Sequence, residues 1–97
     1  MKYFITGGEG FIGFHLSQEL LKDPSTTLVL YDAERNFIPI ERSNWGFYQQ
    51  YRMTALRPHA DRIIRIRGDV NDRGFLRTSL EKHQPNVIIH LAALPIS

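Results

Sequence analysis

Residues 6–13 read TGGEGFIG, with glycines at 7, 10 and 13. Glycine costs backbone entropy, so three at this spacing imply a sharp turn or a close approach to another group. Before them, Tyr3-Phe4-Ile5-Thr6 is a short β-prone run ended by a turn signal, the mark of a buried strand. After them, from Phe11 to Leu21, the pattern turns helical. Ile12, Leu16 and Leu20 recur at i, i+4 and i+8 on one face, and Gly13 falls on that face too. A glycine on a buried stripe lets a helix lie close to a sheet. Lys22-Asp23-Pro24 ends the helix, because proline disfavours helical geometry in the residue before it.

The same alternation continues downstream. Leu28-Val29-Leu30-Tyr31 is a second strand ending at Asp32. A polar loop containing Pro39 follows, and Ser43 caps a helix running to about Leu56, with Phe47, Tyr48, Tyr51 and Ala55 on one face. Gly46 weakens that helix. Residues 62–67 (RIIRIR) form a third strand ending in Gly68-Asp69-Val70. Asp72 caps a third helix with Phe75, Leu76 and Leu80 on its core face. His83 falls on that face in the last turn, where a cation suits the helix dipole. After a turn at Gln84-Pro85-Asn86, Val87-Ile88-Ile89-His90-Leu91 is a fourth, nearly all-apolar strand. The order β-α-β-α-β-α-β predicts parallel strands joined by right-handed crossovers. The apolar strands predict burial on both faces, as in an α/β doubly wound sheet. In the strand order 3-2-1-4-5-6, strand four lies inside the sheet. The chain therefore reads as the N-terminal part of one larger domain, or as a chain that borrows an edge partner and can self-associate there.

Composition bounds the partners. The 97 residues are 42% hydrophobic and 23% charged, ordinary for a soluble globular chain. A net charge of +2 is too small to imply nucleic acid or an anionic membrane. With no cysteine, disulfides and thiolate chemistry are excluded, and a cytoplasmic setting is compatible. No run approaches the length of a membrane span, and the N-terminal apolar run is too short for a signal peptide.

A glycine pattern alone is weak evidence for a ligand. Here it has a strand before it, a helix after it, and an acid at the end of the next strand. Asp32 stands 19 residues past Gly13, close to the roughly 20 of a dinucleotide-binding unit. Gly7 then permits the turn, Gly10 leaves room for a pyrophosphate, and Gly13 permits close helix–sheet packing. The helix N-terminus at Phe11 and Ile12 presents N–H groups and a partial positive charge to phosphate. Asp32 accepts from the ribose hydroxyls, and its charge repels a 2′-phosphate, which favours NAD over NADP. Arg35, just past the second strand, reads either as a partner for a 2′-phosphate or as a solvated loop charge. No Lys-Ser/Thr follows the glycines, so this is not a P-loop.

TGGEGFIG, then Asp32, then Gly68-Asp69-Val70, then His90-Leu91-Ala92-Ala93 resemble the N-terminal signature of the extended short-chain dehydrogenase/reductases. Within that group the chain resembles the NAD-dependent epimerases and dehydratases that act on nucleotide sugars. The likeness spans all 97 residues. It implies a Rossmann-type fold, with hydride leaving a sugar carbon for the nicotinamide and returning. It also implies that Asp69 bonds the adenine amino group and that Val70 touches the ring. Leu91, Ala92 and Ala93 would lie near the nicotinamide-side ribose. That family's catalytic Tyr-x-x-x-Lys pair has no counterpart here: none of Tyr3, Tyr31, Tyr48 and Tyr51 is followed four residues on by lysine. No catalytic role is therefore assigned, the nucleotide-sugar substrate is expected to bind a C-terminal portion, and the chain alone is expected to be inactive. A dinucleotide-binding module without chemistry and an NADPH-dependent reductase of the same superfamily stand as the alternatives.

The remaining candidates read as structural. His15, His59, His83 and His90 lack metal-ligand spacing, and His90 reads as hydrogen-bonded within the domain. Arginines alternating with isoleucines over 62–67 read as a solvated edge or strand-end contact. Trp45, Phe47, Tyr48 and Tyr51 read as helix packing; the resemblance implies that they lie on an insertion after the second strand, placed to cover the adenosine end of the cofactor.

Overall fold

Period-two alternation along Phe4-Ile5 and Leu28-Val29-Leu30-Tyr31 sends apolar side chains to both sides of a sheet, and all six are essentially buried. A computed structural model describes residues 1–33 and 51–92. The elements are β1 (Lys2–Thr6), α1 (Phe11–Leu20), β2 (Thr27–Asp32), helical residues 51–56 (α2), a 3-10 segment Arg57–Arg62, β3 (Ile63–Arg67), α3 (Arg73–His83) and β4 (Val87–His90). The strands form one parallel sheet in the order β3-β2-β1-β4. This is the α/β doubly wound arrangement that the alternation of elements predicts.

The core divides along the alternation. On one face, Ile5, Leu28 and Leu30 pack with Phe14 and Leu21 of the α1 region and Leu56 of α2. On the other, Phe4, Val29 and Tyr31 pack with Leu76 and Leu80 of α3. Each fully buried apolar side chain contributes about 1.5–3 kcal/mol.

Five expectations are corrected. The buried stripe of α1 is Gly13, Phe14 and Ser17, with Leu21 just beyond. Leu16 and Leu20 pack at its margin, but Ile12 is 66% exposed, because the first turn projects past the strand ends. Phe75 is 43% exposed; its ring meets Tyr31 at 6.0 Å between centroids, at the mouth of the α3 interface rather than inside it. Arg62 belongs to the 3-10 segment and not to β3. β4 stops at His90, and Ile88 on it is 57% exposed, so this strand is not covered on both faces. The cause is its position at the end of the described sheet, beyond the reach of α3. The cations at the helix C-terminus are Lys82 in the last turn and Lys2, whose Nζ donates to the His83 carbonyl at 3.0 Å. Burial, with Lys82 and Lys2 nearby, holds the His83 imidazole below its ordinary pKa.

Asp72 caps α3 as expected, its side chain accepting the Phe75 N–H at 3.1 Å. The readings of Pro39, Ser43, Trp45, Phe47 and Tyr48, and of Arg35 and Ala93, lie outside the described residues. Tyr51 is described, and its ring lies edge-on to Phe14 at 6.1 Å.

Candidate functional site

The chain leaves β1 at Thr6 and reverses within four residues. Gly7 takes φ +70°, which L side chains adopt only with strain. The Gly10 N–H then closes the turn onto the Gly7 carbonyl at 3.1 Å. The turn is also crowded from outside. A Cβ on Gly7 would lie 2.8 Å from the Ala92 nitrogen, because the end of β4 runs against it. A Cβ on Gly13 would lie 2.6 Å from the Gly8 carbonyl oxygen and 2.7 Å from that of Gly7. Gly13 thus permits close packing of α1 on the loop, where the sequence reading had it against the sheet. Gly10 differs: among the described residues a Cβ there would meet only the Gly7 oxygen, at 3.3 Å, and its outer side faces none of them, as a closely approaching pyrophosphate requires.

α1 begins at Phe11 with Gly10 as its N-cap and no side-chain cap. Its first intrahelical bond runs from the Phe14 N–H to the Gly10 carbonyl at 2.9 Å. The donors of the first turn therefore point out of the helix end, where the dipole favours an anion. Phe11 and Ile12 flank this end with 65% and 66% exposure, so neither apolar side chain serves the core.

Asp32 lies beside this loop, for its Oδ2 accepts the Glu9 N–H at 2.9 Å. The acid found by spacing is thus joined to the glycine turn by a bond that spacing alone could not reveal. Asp69 lies past β3, and its Oδ1 accepts the Asn71 N–H at 2.9 Å, which is the turn-capping role of an Asp in a bend. Tyr31 was no candidate, yet it sets this bend. Its ring occupies the space a side chain at position 68 would need, so only glycine fits there. Its hydroxyl donates to the Asp69 carbonyl at 3.0 Å. Burial, with the charges of Asp72 and Asp69, holds that phenol above its ordinary pKa and keeps it a donor. The sequence signal available was a large aromatic next to Asp32 and a glycine at the end of β3. Val70 is half-buried and packs against the Phe4, Val29 and Tyr31 cluster.

β1 and β4 meet at their C-terminal ends. The Thr6 hydroxyl lies 2.6 Å from His90 Nδ1 and accepts the Ala92 N–H at 3.3 Å, while the Leu91 N–H donates to the Thr6 carbonyl at 3.0 Å. The expected structural bond of His90 is therefore present. Strand order reverses between β1 and β4, and a crevice opens at the C-terminal ends of such strands. Gly7, Gly10, Phe11, Ile12, Gly13, Asp32, Asp69, Val70, Leu91 and Ala92 all stand at that end of the sheet. Among the described residues there is no cluster of acids and histidines fit for a metal ion. No helix among them is long and apolar enough to cross a membrane.

Comparison with known proteins bears on this arrangement. A family model described as GDP-mannose 4,6 dehydratase matches residues 4–96. A probable UDP-glucuronate 4-epimerase of Rhizobium meliloti is 31% identical over 93 residues, which are 96% of this chain and 25% of that protein. A dTDP-L-rhamnose 4-epimerase of Burkholderia thailandensis is 35% identical over 92 residues, 95% of this chain and 22% of that one. The chain thus spans about a quarter of the length of these relatives. Among solved structures, a UDP-glucuronic acid 4-epimerase from Bacillus cereus in complex with NAD superposes with a TM-score of 0.73. That match has 31% identity and covers 100% of this chain and 28% of the other.

Proposed function

The chain belongs to the GDP-mannose 4,6-dehydratase family, and on that premise we propose that it forms the NAD-holding part of a nucleotide-sugar epimerase or dehydratase. One observation carries the reading. The glycine turn, Asp32 and the ends of β3 and β4 converge at the point where strand order reverses, with Asp32 bonded to the turn itself. The similar epimerase solved with NAD supports it.

The residues present fit a dinucleotide. The open side of Gly10 and the uncapped start of α1 suit the pyrophosphate. The Asp32 carboxylate suits the adenine-side ribose hydroxyls, and its charge opposes a 2′-phosphate. The resemblance assigns Asp69 and Val70 to the adenine, and Leu91 and Ala92, with Ala93 outside the described residues, to the nicotinamide-side ribose. The nicotinamide, when bound, accepts and returns hydride. This chain's residues bind and orient it, and no Tyr-x-x-x-Lys pair occurs in the sequence. The sugar is assigned to other parts of the protein, and turnover is not expected from these 97 residues by themselves.

Titration calorimetry with NAD and NADP tests the reading. NAD should bind more tightly than NADP, and Asp32→Ala should weaken NAD about tenfold, the loss of a charged hydrogen-bond acceptor. Tighter binding of NADP by the unaltered protein would overturn the role given to Asp32.

A further inference from the structure

Glu9 occupies a position in the glycine loop at which the dinucleotide reading asks nothing of the side chain. That side chain is nonetheless engaged. Its Oε1 accepts the Arg65 Nε–H at 2.9 Å, while its backbone N–H holds Asp32 Oδ2 at 2.9 Å. Arg65 stands in β3 opposite Leu30 of β2, so the pair reaches from the loop across β2 to the third strand. The two side chains are 22% and 43% exposed, partly withdrawn from water. A charge pair in that setting acts more strongly than one in open solvent.

We propose that Glu9 is a cofactor-selectivity residue that works through Arg65. The inference rests on the dinucleotide reading of the loop. A 2′-phosphate is doubly charged or nearly so and pairs best with arginine. It would extend from the ribose beside Asp32, whose carboxylate is already bonded to Glu9. Arg65 places a guanidinium within one glutamate length of that loop. Bound to Glu9, it is neutralised and held off the ribose. The Glu9 carboxylate offsets the Arg65 guanidinium, so the pair offers no free cation to the extra phosphate. Neutralising Glu9 removes one negative charge and releases the guanidinium, while the backbone N–H still holds Asp32. Selection against NADP is thereby shared between Asp32 and the Glu9–Arg65 pair.

The test is the ratio of dissociation constants for NADP and NAD, measured by calorimetry on the protein and three variants. Glu9→Gln should narrow the ratio about tenfold, with NAD affinity little changed. Glu9→Gln combined with Arg65→Gln should restore most of the discrimination, since no released arginine remains. Arg65→Gln alone should widen the ratio several-fold, because the Glu9 carboxylate is then uncompensated. This last variant decides the matter if Glu9→Gln does not fold. A merely structural pair would move both affinities together, so an unchanged ratio in Glu9→Gln overturns the proposal. So does a double variant as permissive as Glu9→Gln, or an Arg65→Gln ratio that holds or falls. If the unaltered protein binds no NAD at all, the dinucleotide reading itself fails, and the proposal with it.

Discussion

A methyl group at position 13 would be forced onto two backbone oxygens, at 2.6 and 2.7 Å. Neither belongs to a flexible side chain, so relief requires moving the loop or the helix. Gly13→Ala should therefore destabilise the fold by about 1–3 kcal/mol, the cost of overpacking a site that cannot yield. Gly74→Ala is the contrast. It lies in α3, and its added Cβ would find Asp72 Oδ1 as its nearest neighbour, at 3.9 Å. Exchange of glycine for alanine in a helix gains up to about 1 kcal/mol. Urea denaturation of the two variants should move in opposite directions. Equal effects would mean that helix propensity, and not the loop contact, governs position 13. The pattern of glycines was legible in the sequence, but the reasons for them were only partly so. Gly7 is dictated by its turn and by Ala92, a residue at the far end of the chain. Gly68 is dictated by the ring of Tyr31. Spacing rules describe local turns; they do not see a neighbour brought up by the sheet.

At the scale of elements, the four strands and the helices α1 and α3 were legible, because hydrophobic period and breakers act locally, while the 3-10 segment Arg57–Arg62 was not foreseen. The contacts between elements were less so. Arg62 looked like the first residue of an edge strand. Its guanidinium instead donates to the carbonyls of Leu21, Asp23 and Thr26 and lies 3.1 Å from His59 Nδ1, tying the 3-10 segment to the end of α1. Such a clamp has no period and no spacing to betray it. His83 shows the same limit. Its place in the last turn of α3 suggested a cation, yet burial and the charges of Lys82 and Lys2 favour the neutral ring. The sign follows directly. An unfolded histidine titrates near 6.5, and the folded value is lower, so the unfolded state binds more protons between the two. The stability linked to His83 is complete above about pH 6.5 and is lost as pH falls from there through the lower folded pKa. Melting temperatures near pH 7.5 and 5.5 check this. Wild type should lose more on acidification than His83→Gln. An equal loss would remove His83 from the account.

Across the whole molecule, the two sides of the sheet are not equally finished. β1 and β2 are sandwiched between α1 and α2 on one face and α3 on the other. Among the described residues β3 ends the sheet on one side, and it carries Arg65 and Arg67 there, charges being a common defence of an edge. β4 ends it on the other with Val-Ile-Ile-His, and among the described residues it pairs only with β1. Ile88 lies opposite Phe4 in the register, on the face that α3 covers over β1 and β2 but not over β4, and is 57% exposed. An apolar parallel strand with an unpaired row of N–H and C=O groups is a template for another strand. The 97-residue chain by itself should therefore self-associate as its concentration rises, in sedimentation velocity. Ile88→Lys should shift that association to concentrations about tenfold higher, by placing a charge on the apolar face at the edge and removing a side chain worth about 1.5–3 kcal/mol when buried. NAD affinity should be untouched, because the glycine loop, Asp32 and the Thr6–His90 contact lie at the C-terminal ends of the strands, away from Ile88. A wild-type chain that stays monomeric at every concentration would defeat the edge argument. A variant that associates as readily would place the contact elsewhere.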